Sequence, residues 1–201
     1  MRKKLEELFE YMTMLNAFRR VERVMRVSGT DRMENDQEHS YELAMMAWFL
    51  IDSEKLSLNR DLVIKYALVH DLAEVYAGDT YVFSKDPDEL ASKEHREQEA
   101  RERLAEEFPQ FNELHRLMEA YERREDKESR FVYALDKIHP AIDIYLDEHG
   151  WMYREKRVTW KMLMDQKKEK VALSPEAKPY FDELMLLLKE TEGVLHDETE
   201  L

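Results

Sequence analysis

Hydrophobic residues recur every three to four positions along most of this chain, which is the spacing of amphipathic helices. The pattern is first seen in five apolar residues of the N-terminal segment: Leu5, Leu8, Phe9, Met12 and Leu15. It predicts a first helix over residues 3–27, which ends at the polar, glycine-containing segment 28–31.

The same spacing predicts two further helices in the first half of the chain. Asp36 is the expected N-cap of a helix that runs to about Ser53. The next helix begins near Asn59 and continues to Gly78, because glycine commonly ends a helix.

Proline and glycine residues divide the second half. We expect a loop over 79–91 with Pro87 in it, a helix capped by Ser92, and a stop at Pro109. Further helices are expected at about 111–124, from Lys127 to near Gly150 with a bend at Pro140, at 155–170 and at 175–191, before an acidic tail at 192–201. No internal repeat or linker divides the chain. The sequence therefore predicts one all-α domain over 1–201, folded as a helical bundle.

The composition supports a helical globular protein and limits its chemistry. Hydrophobic residues make up 43% of the 201 positions and charged residues 38%, with only 4 glycines and 5 prolines. Few turn-forming residues favour long helices over a β-sandwich. The chain has no cysteine, so any metal ion must be bound by His, Asp or Glu, and thiol catalysis is excluded.

The charge balance indicates small-molecule partners. Lys and Arg number 31 and Asp and Glu 45, a net charge of −14, which disfavours binding to a nucleic-acid polymer. No stretch approaches the roughly 20 apolar residues of a membrane helix. The N-terminal residues lack the apolar region of a signal peptide, so we expect a soluble, cytoplasmic protein.

Three short segments place polar residues beside apolar helical stretches: Glu38-His39, Val69-His70-Asp71-Leu72-Ala73-Glu74 and Leu135-Asp136-Lys137. Burying imidazoles and carboxylates is costly unless they are paired or bind a metal ion. Two imidazoles and two carboxylates suit Mn²⁺, Co²⁺, Fe²⁺ or Zn²⁺, and less naturally Mg²⁺.

The segment around the His-Asp pair also contains candidate catalytic acids. Glu74 returns to the side of the helix on which His70 lies, and Asp79 follows Gly78 into the same region. A single buried histidine is more often a core residue than a ligand, so the argument depends on the whole set in this order. The zinc-protease H-E-x-x-H pattern and a glycine-rich phosphate loop are absent.

These segments resemble the HD-domain phosphohydrolases, and most of all the branch of HD-type 5′-deoxynucleotidases. The family's E-H-S-like turn is Glu38-His39-Ser40, its H-D-x-x-E-x-x-x-G-D segment runs from His70 to Asp79, and its A-D-K-like segment is Leu135-Asp136-Lys137. The resemblance covers roughly residues 10–150.

The resemblance implies one divalent metal ion, bound by His39, His70, Asp71 and Asp136. It also implies that the residues matching Glu74 and Asp79 act on the nucleophilic water and on the substrate. Relatives suggest a homodimer.

An arginine upstream of the first histidine binds the phosphate in this family. Arg20 matches it by spacing, and the adjacent Arg19 is the alternative. Val21 stands where better-known members carry an aromatic residue that senses the sugar.

Other arginines of this region have separate interpretations. Arg32 either contacts the substrate or anchors its loop. Arg23 and Arg26 are expected on a solvated helix face, paired with acidic residues. His139, one helical turn after Asp136, is close enough to reach the margin of the site, although a structural role is favoured.

The sequence thus predicts a metal-dependent phosphomonoesterase of the 5′-nucleotidase type. It would remove the phosphate from (deoxy)nucleoside 5′-monophosphates by attack of a metal-activated water. The alternatives are hydrolysis of another phosphoester (a nucleoside triphosphate, a cyclic nucleotide or a guanosine tetraphosphate) and a helical protein that binds metal without turnover.

Overall fold

The structure is a computed structural model that describes residues 2–147 and 152–197. Its helices and strands follow one another in this order: α1 (Arg2–Phe18), β1 (Glu22–Arg26), β2 (Met33–Asn35), α2 (Asp36–Ser53), α3 (Arg60–Val69), α4 (Glu74–Ala77), α5 (Pro87–Glu107), α6 (Asn112–Arg123), α7 (Lys127–Leu146), α8 (Met152–Glu155), α9 (Trp160–Val171) and α10 (Lys178–Glu190). The prediction of an essentially all-helical fold is confirmed.

The predicted helix over 3–27 is wrong in its second half. Helix α1 ends at Phe18, and Glu22–Arg26 forms a strand that pairs antiparallel with Met33–Asn35. Gly29 lies between the strands at φ 73°, a conformation that lets the chain reverse direction. The apolar residues at 21, 24 and 25 fit the helical spacing, but here they accompany a strand.

The predicted helix from Asn59 to Gly78 is interrupted. Helix α3 begins after an Asn59 cap and ends at Val69, and the short α4 covers Glu74–Ala77. Gly78 closes α4 at φ 74°, as expected of a glycine at a helix end. The interruption falls on the His-Asp pair, where the chain continues as a tighter turn: Leu72 N donates to the carbonyl oxygen of Val69 and Glu74 N to that of Asp71.

Several other boundaries differ by a few residues. The side chain of Asn35, not Asp36, caps α2, and Asp86 caps α5, so that Ser92 lies inside that helix. The expected helix at 155–170 is two elements, α8 and α9. Helix α7 contains Pro140 and ends at Leu146, whereas the expected end near Gly150 lies outside the described residues.

Helix α7 is the centre of the core. Its residues Phe131, Leu135 and Ile138 are almost wholly buried, and it packs against α2, α3, α9 and α10. A polar residue on this helix is therefore enclosed by other helices, which is the situation of Asp136. None of the helices in the described part of the chain has the length and apolar character needed to cross a bilayer.

Candidate metal centre and active site

Four side chains from three parts of the chain meet beneath the surface. One ligand atom from each of His39, His70, Asp71 and Asp136 lies within 4.8 Å of the others. His39 Nε2 is 3.1 Å from Asp136 Oδ1 and 3.9 Å from Asp71 Oδ2. His70 Nε2 is 3.0 Å from Asp71 Oδ2 and 3.8 Å from Asp136 Oδ1. The structure thus brings together all four residues of the predicted ligand set.

Each of these residues is held by a helix whose position the core fixes. His39 lies one turn into α2, which begins with a capping box between Asn35 and Glu38. His70 and Asp71 follow the end of α3, and Asp136 is in the middle of α7. The set is therefore preorganised by packing.

The two histidines are arranged to offer lone pairs to a cation. His70 Nδ1 donates to the carbonyl oxygen of Ala67 at 2.9 Å, so Nε2 is the nitrogen that is left to face the cluster. That Nε2 atom is buried between carboxylate oxygens of Asp71 and Asp136, without hydrogen-bond geometry to either. Burial, followed by the charge of Arg23, lowers the pKa of His39 to about 3, so its ring is neutral at pH 7. Two buried imidazole nitrogens that face two carboxylates fit a divalent metal ion.

The carboxylates of the set are ionised. Burial by itself would raise the pKa of Asp136, but Lys137 and the two histidines hold it well below its ordinary range. Burial likewise acts against ionisation of Asp71, and the neighbouring His70 and Arg23 outweigh it, so its pKa is also lowered. Burial acts to lower the pKa of His70, but the charge of Asp71 outweighs it and raises that pKa. These carboxylates thus favour a positive charge beside His70 Nε2, and a divalent cation would supply it in place of a proton.

Arg23 lies directly against this cluster. Its Nη1 atom is 3.0 Å from Asp71 Oδ2 and 3.4 Å from Asp36 Oδ1, and its Nε atom is 3.1 Å from Glu34 Oε2. The expectation of a solvated helix face is wrong, because Arg23 is on strand β1 and its side chain is only 13% exposed. The pairing with acidic residues was expected. The hairpin directs this guanidinium inward because alternate residues of a strand point to opposite faces.

The other arginines of the region lie elsewhere. Arg19 and Arg20 are exposed, and they donate to Gln37 Oε1 at 3.3 Å and to the carbonyl oxygen of Asn16 at 3.1 Å. Neither has a described contact with the four-residue cluster, so the structure gives no support to their expected role. Arg32 is 54% exposed and pairs with Glu38 at 2.7 Å, which matches the loop-anchoring alternative.

Arg26 pairs with an acidic residue, as expected, although it too lies on a strand and not on a helix. Its partner is Glu155 of α8, at 2.5 Å.

Three acidic residues surround the cluster on the side of Arg23. Glu74 is 4% exposed and Asp36 wholly buried, and one oxygen of each lies within 4.8 Å of Asp71 and of the other. Burial, followed by the charge of Asp71, raises the pKa of both, that of Asp36 to about 7. Burial also raises the pKa of Asp79, against the opposing charge of Arg23. These carboxyl groups are suited to hold or accept a proton near neutral pH.

Asp36 is a site residue that the sequence prediction missed. As the first residue of a helix it looked like a cap, and caps are usually solvated. Its only sequence signal was its place three residues before His39, which puts both side chains on one face of α2.

The loop that carries Asp79 is fastened to α5. Arg96 donates from Nη2 to Thr80 Oγ1 at 2.8 Å and from Nη1 to the carbonyl oxygen of Ala77. Lys93, one turn earlier, lies 3.5 Å from Glu74 Oε1. Helix α5 therefore fixes both ends of the segment Glu74–Asp79.

Two adjoining cavities open beside the cluster. The first is lined by Arg23, Asp79 and Asp136 on one side and by apolar and aromatic residues on the other, among them Val24, Met25, Tyr81, Phe83, Ile144 and Tyr153. The second, of about 250 Å³, is lined by His70, Asp71, Glu74 and Asp136 and by several basic residues. Thr80, Lys137 and Lys170 line both cavities. The arrangement suits a ligand with an anionic end and an apolar ring.

The basic residues come mainly from the second half of the chain. Lys137 donates to Asp136 Oδ2 at 2.6 Å, and Lys170 donates to the uncharged Gln166 Oε1 at 3.0 Å. Lys167 is buried and donates to the carbonyl oxygen of Lys137 at 2.5 Å. Burial, followed by the charge of Lys137, lowers the pKa of Lys167 to about 7 and that of Lys170 also. The sequence prediction missed Lys167 and Lys170 because nothing in the sequence of α9 distinguishes them from solvated lysines.

Comparison with known proteins agrees with this geometry. The family model "HD domain" matches residues 15–178. The chain belongs to the HD domain family. The resemblance predicted from the sequence is thereby confirmed, and the HD match extends beyond the predicted core to include α8 and α9.

The relatives of this HD-domain chain include both sequences and solved structures. It is 33% identical over 133 residues to the 5′-deoxynucleotidase HDDC2 of Homo sapiens, covering 65% of this chain and 63% of that protein. For the Danio rerio protein of the same name the values are 28% over 144 residues and 70% of each. The chain thus aligns with a little less than two thirds of the length of the human relative.

Structural similarity covers almost the entire HD-domain chain. A crystal structure of a protein called a predicted metal-dependent phosphohydrolase, from Magnetospirillum magnetotacticum, superposes with a TM-score of 0.78 at 27% identity, over 95% of this chain and 96% of that one. An HD-domain phosphohydrolase from Listeria innocua superposes with a TM-score of 0.61 at 15% identity, which shows the fold alone.

Proposed function

We propose that the chain is a metal-dependent phosphohydrolase that removes the phosphate from nucleoside 5′-monophosphates, deoxynucleotides among them. The observation that carries the proposal is the convergence of His39, His70, Asp71 and Asp136 on one point, with His70 Nε2 buried beside two carboxylates. Glu74, which a purely structural metal site would not need, lies beside Asp71.

The four residues would hold one divalent ion. The mixed nitrogen and oxygen donors suit Mn²⁺, Co²⁺, Fe²⁺ or Zn²⁺, with Mg²⁺ less favoured because it prefers oxygen. When bound, such an ion supplies Lewis-acid chemistry: it lowers the pKa of water and neutralises charge on phosphoryl oxygens.

Side chains of the protein supply phosphate binding and proton transfer. Arg23 presents a planar fork that suits two phosphate oxygens, and it takes the phosphate-binding role expected of Arg20 or Arg19. Glu74, with its neighbour Asp36 and with Asp79, accepts the proton of the attacking water. The water oxygen bonds to phosphorus and the P–O5′ bond breaks. The proton taken from the water passes from the carboxyl group to O5′, so the nucleoside leaves as the alcohol.

We infer that the base of the nucleoside enters the aromatic cavity, whose volume of about 90 Å³ means that lining side chains must move to admit it. Tyr81 and Phe83 meet edge to face with ring centroids 5.7 Å apart, and Phe83 meets Tyr153 in the same way at 6.4 Å. Such rings bind a base by stacking without selecting strongly among bases. The names of the HDDC2 relatives support the same substrate class.

A second candidate is supported by the basic lining of the larger cavity. Lys93, Arg101, Arg124, Lys137 and Lys170 all line it. Lys170 has a neutral acceptor in Gln166, so part of this charge is free to meet an anion. Substrates that carry more than one phosphate, such as nucleoside diphosphates or triphosphates, would use these cations, so the two substrate classes must be compared directly.

Two variants test the proposed roles. Asp71→Ala should abolish both metal binding and turnover, whereas Glu74→Gln should retain the metal and lower kcat by about 100-fold or more. Metal content is measured by elemental analysis, and turnover by phosphate release from dAMP, AMP, dADP and dATP with Mn²⁺ or Co²⁺. Exposed Glu113→Gln is the control and should behave as wild type.

The outcomes separate the candidates. Phosphate release from monophosphates supports the first proposal, and faster turnover of the diphosphate or triphosphate supports the second. Metal binding without hydrolysis of any of these substrates would refute both. Unchanged turnover by Glu74→Gln would refute the role of Glu74.

We also propose that the enzyme is a homodimer. One face of α2 exposes apolar side chains that are spaced like the buried ones, and neighbouring helices extend it: Tyr41, Met45, Trp48 and Phe49 on α2, Leu68 on α3, and Leu5, Leu8, Phe9 and Met12 on α1. Exposed apolar side chains in this number are typical of a contact between subunits.

A further inference from the structure

A second cluster of titratable residues lies directly behind His39. His139 is 4% exposed, and its Nδ1 atom is 3.0 Å from His39 Nδ1. On the other side of its ring, His139 Nε2 is 3.4 Å from both Glu42 Oε2 and Asp143 Oδ2. The two imidazoles therefore link the proposed metal ligand to two carboxylates at the edge of the molecule.

The contact between two Nδ1 atoms allows only one proton between them. If His39 Nε2 is to bind a cation, that atom must be unprotonated and the proton must be on Nδ1. The His39 Nδ1–H group then donates to His139 Nδ1. His139 therefore carries its own proton on Nε2. That Nε2–H faces one carboxylate oxygen each of Glu42 and Asp143, at 3.4 Å. With a cation on His39 Nε2, every nitrogen of both rings has a partner in this arrangement, and no other arrangement of two neutral rings achieves this.

No competing acceptor is available to His39 Nδ1 among the described residues that face it. The nearest carboxylate oxygen, Glu34 Oε2, is 3.9 Å away, which is too far for a hydrogen bond. The charged Arg23 side chain pairs with that same oxygen, with Nε 3.1 Å away. His139 is thus the group that determines which nitrogen of His39 carries the proton.

We propose that His139, held by Glu42 and Asp143, is a positioning residue that fixes the tautomer and ring orientation of His39 for metal binding. This inference rests on the metal site of the proposed function. Residues in this position relative to a ligand commonly alter metal affinity by about 10- to 100-fold when they are changed.

Helical spacing explains how the arrangement is built. On α2, Glu42 follows His39 by three residues, and on α7 His139 follows Asp136 by three and precedes Asp143 by four. Residues three and four apart lie on one face of a helix, so each helix supplies a proposed metal ligand and, one turn on, its support. The pairing of α2 with α7 therefore sets the metal site and the chain behind it together.

The same geometry excludes simultaneous use of the second cluster as a metal site. Glu42, His139 and Asp143 could by distance hold an ion. A cation on His139 Nε2 would move the His139 proton to Nδ1, and His39 would then have to carry its proton on Nε2, facing the first site. Two cations cannot bind while both rings stay neutral, so one metal ion per chain is expected.

The experiment compares the whole protein with three variants. Co²⁺ affinity and stoichiometry are measured by calorimetric titration, and the visible spectrum of bound Co²⁺ reports ligand geometry. His139→Phe, which removes the acceptor, should weaken Co²⁺ binding about 10- to 100-fold and change the spectrum. His139→Asn retains an acceptor oxygen near the Nδ1 position and should restore affinity to within about threefold of wild type, with the wild-type spectrum.

The third variant tests the proposal even if His139→Phe fails to fold. Glu42→Gln combined with Asp143→Asn changes two partly exposed side chains and leaves the ring in place. It should weaken Co²⁺ binding several-fold. Leu188→Ala, a buried change on α10 outside both cavities, should lower thermal stability without altering the Co²⁺ spectrum.

The outcomes are distinct. Wild-type affinity and spectrum in the charge-removed double variant would overturn the proposal, and so would two ions per chain with one of them lost in that variant. If the wild-type protein binds no Co²⁺ at all, the proposed function fails, and the positioning role of His139 fails with it.

Discussion

Arg23 differs from the other arginines near the N-terminus because its guanidinium is largely removed from solvent. It bonds to Asp71, and Glu34 and Asp36 lie on its other sides. A buried cation among three carboxylates is electrostatically matched, and an arriving phosphate would compete for the same N–H groups.

Replacement of Arg23 tests this assignment against the sequence-based one. Arg23→Lys keeps the charge but loses the fork, so kcat/KM should fall about 10- to 100-fold, or about 1.4 to 2.7 kcal/mol of transition-state stabilisation. Arg20→Lys is the matched control and should stay within about twofold of wild type. Phosphate release from dAMP measures both. The reverse result would return the phosphate-binding role to Arg20.

Lys167 gives a prediction about pH. Burial lowers its pKa in the folded protein to about 7, whereas an unfolded lysine has a pKa of about 10.4. Between these values the unfolded state binds a proton that the folded state lacks, so the free energy of unfolding rises with pH. The contribution of Lys167 should increase by about 1 kcal/mol per pH unit from about pH 7.5 to 9.

Urea unfolding at several pH values measures this contribution. The difference in unfolding free energy between wild type and Lys167→Met should grow with pH by the stated amount. The difference between wild type and Lys168→Met, an exposed neighbour, should stay constant. A flat difference for Lys167→Met would mean that the buried amine remains charged.

At the scale of elements, the tight turn between α3 and α4 carries three site residues within five positions. Its backbone is held by hydrogen bonds from Leu72 N to the carbonyl oxygen of Val69 and from Glu74 N to that of Asp71. Within it, His70 Nε2 and Asp71 Oδ2 lie 3.0 Å apart. Gly78 then ends α4 at φ 74° and ψ 151°, a region essentially restricted to glycine.

Gly78→Ala is therefore expected to be costly for a backbone reason. A Cβ there would meet nothing within 4 Å, so steric crowding is not the cause. The strain should destabilise the protein by about 1–3 kcal/mol and lower activity, because Asp79 follows directly. Gly29→Ala, at φ 73° in the hairpin, should cost about 1 kcal/mol and leave activity unchanged. Thermal unfolding and phosphate release, measured on both variants, distinguish the two; equal loss of activity would contradict the prediction.

At the scale of the whole molecule, the ligand cluster couples metal binding to stability. The four residues come from α2, the segment after α3, and α7, so an ion would link elements that are far apart in the chain. Because the unfolded chain lacks this arrangement, binding energy adds to folding energy.

Thermal unfolding with and without Mn²⁺ measures this coupling. At a free ion concentration of about 100 Kd the expected stabilisation is about 2.7 kcal/mol. For a chain of this size that corresponds to a rise in Tm of about 5–10 °C. Asp136→Asn should abolish the rise, and exposed Asp61→Asn should retain it. If Mn²⁺ raised the Tm of Asp136→Asn as much as that of wild type, the ion would bind at a different site.

The sequence by itself determined the helical class and the four residues of the cluster. Hydrophobic periodicity is local, so it indicated α2, α6 and α7 with nearly correct bounds. The order of His39, His70-Asp71 and Asp136 indicated a ligand set before any coordinates were considered. Local periodicity also gave one wrong prediction, because the apolar spacing at residues 21–25 is compatible with either a helix or a strand. Pairing with Met33–Asn35 makes this segment a strand.

Only the tertiary structure decided which other side chains join the site. Arg23 reaches Asp71 across 48 positions, and His39 reaches Asp136 across 97. The roles of Asp36 and Lys167, and the contact of His139 with His39, follow from burial and from the packing of α2, α7 and α9. Charge and hydrogen bonding of this kind depend on distance in space, which a pattern along the chain does not contain.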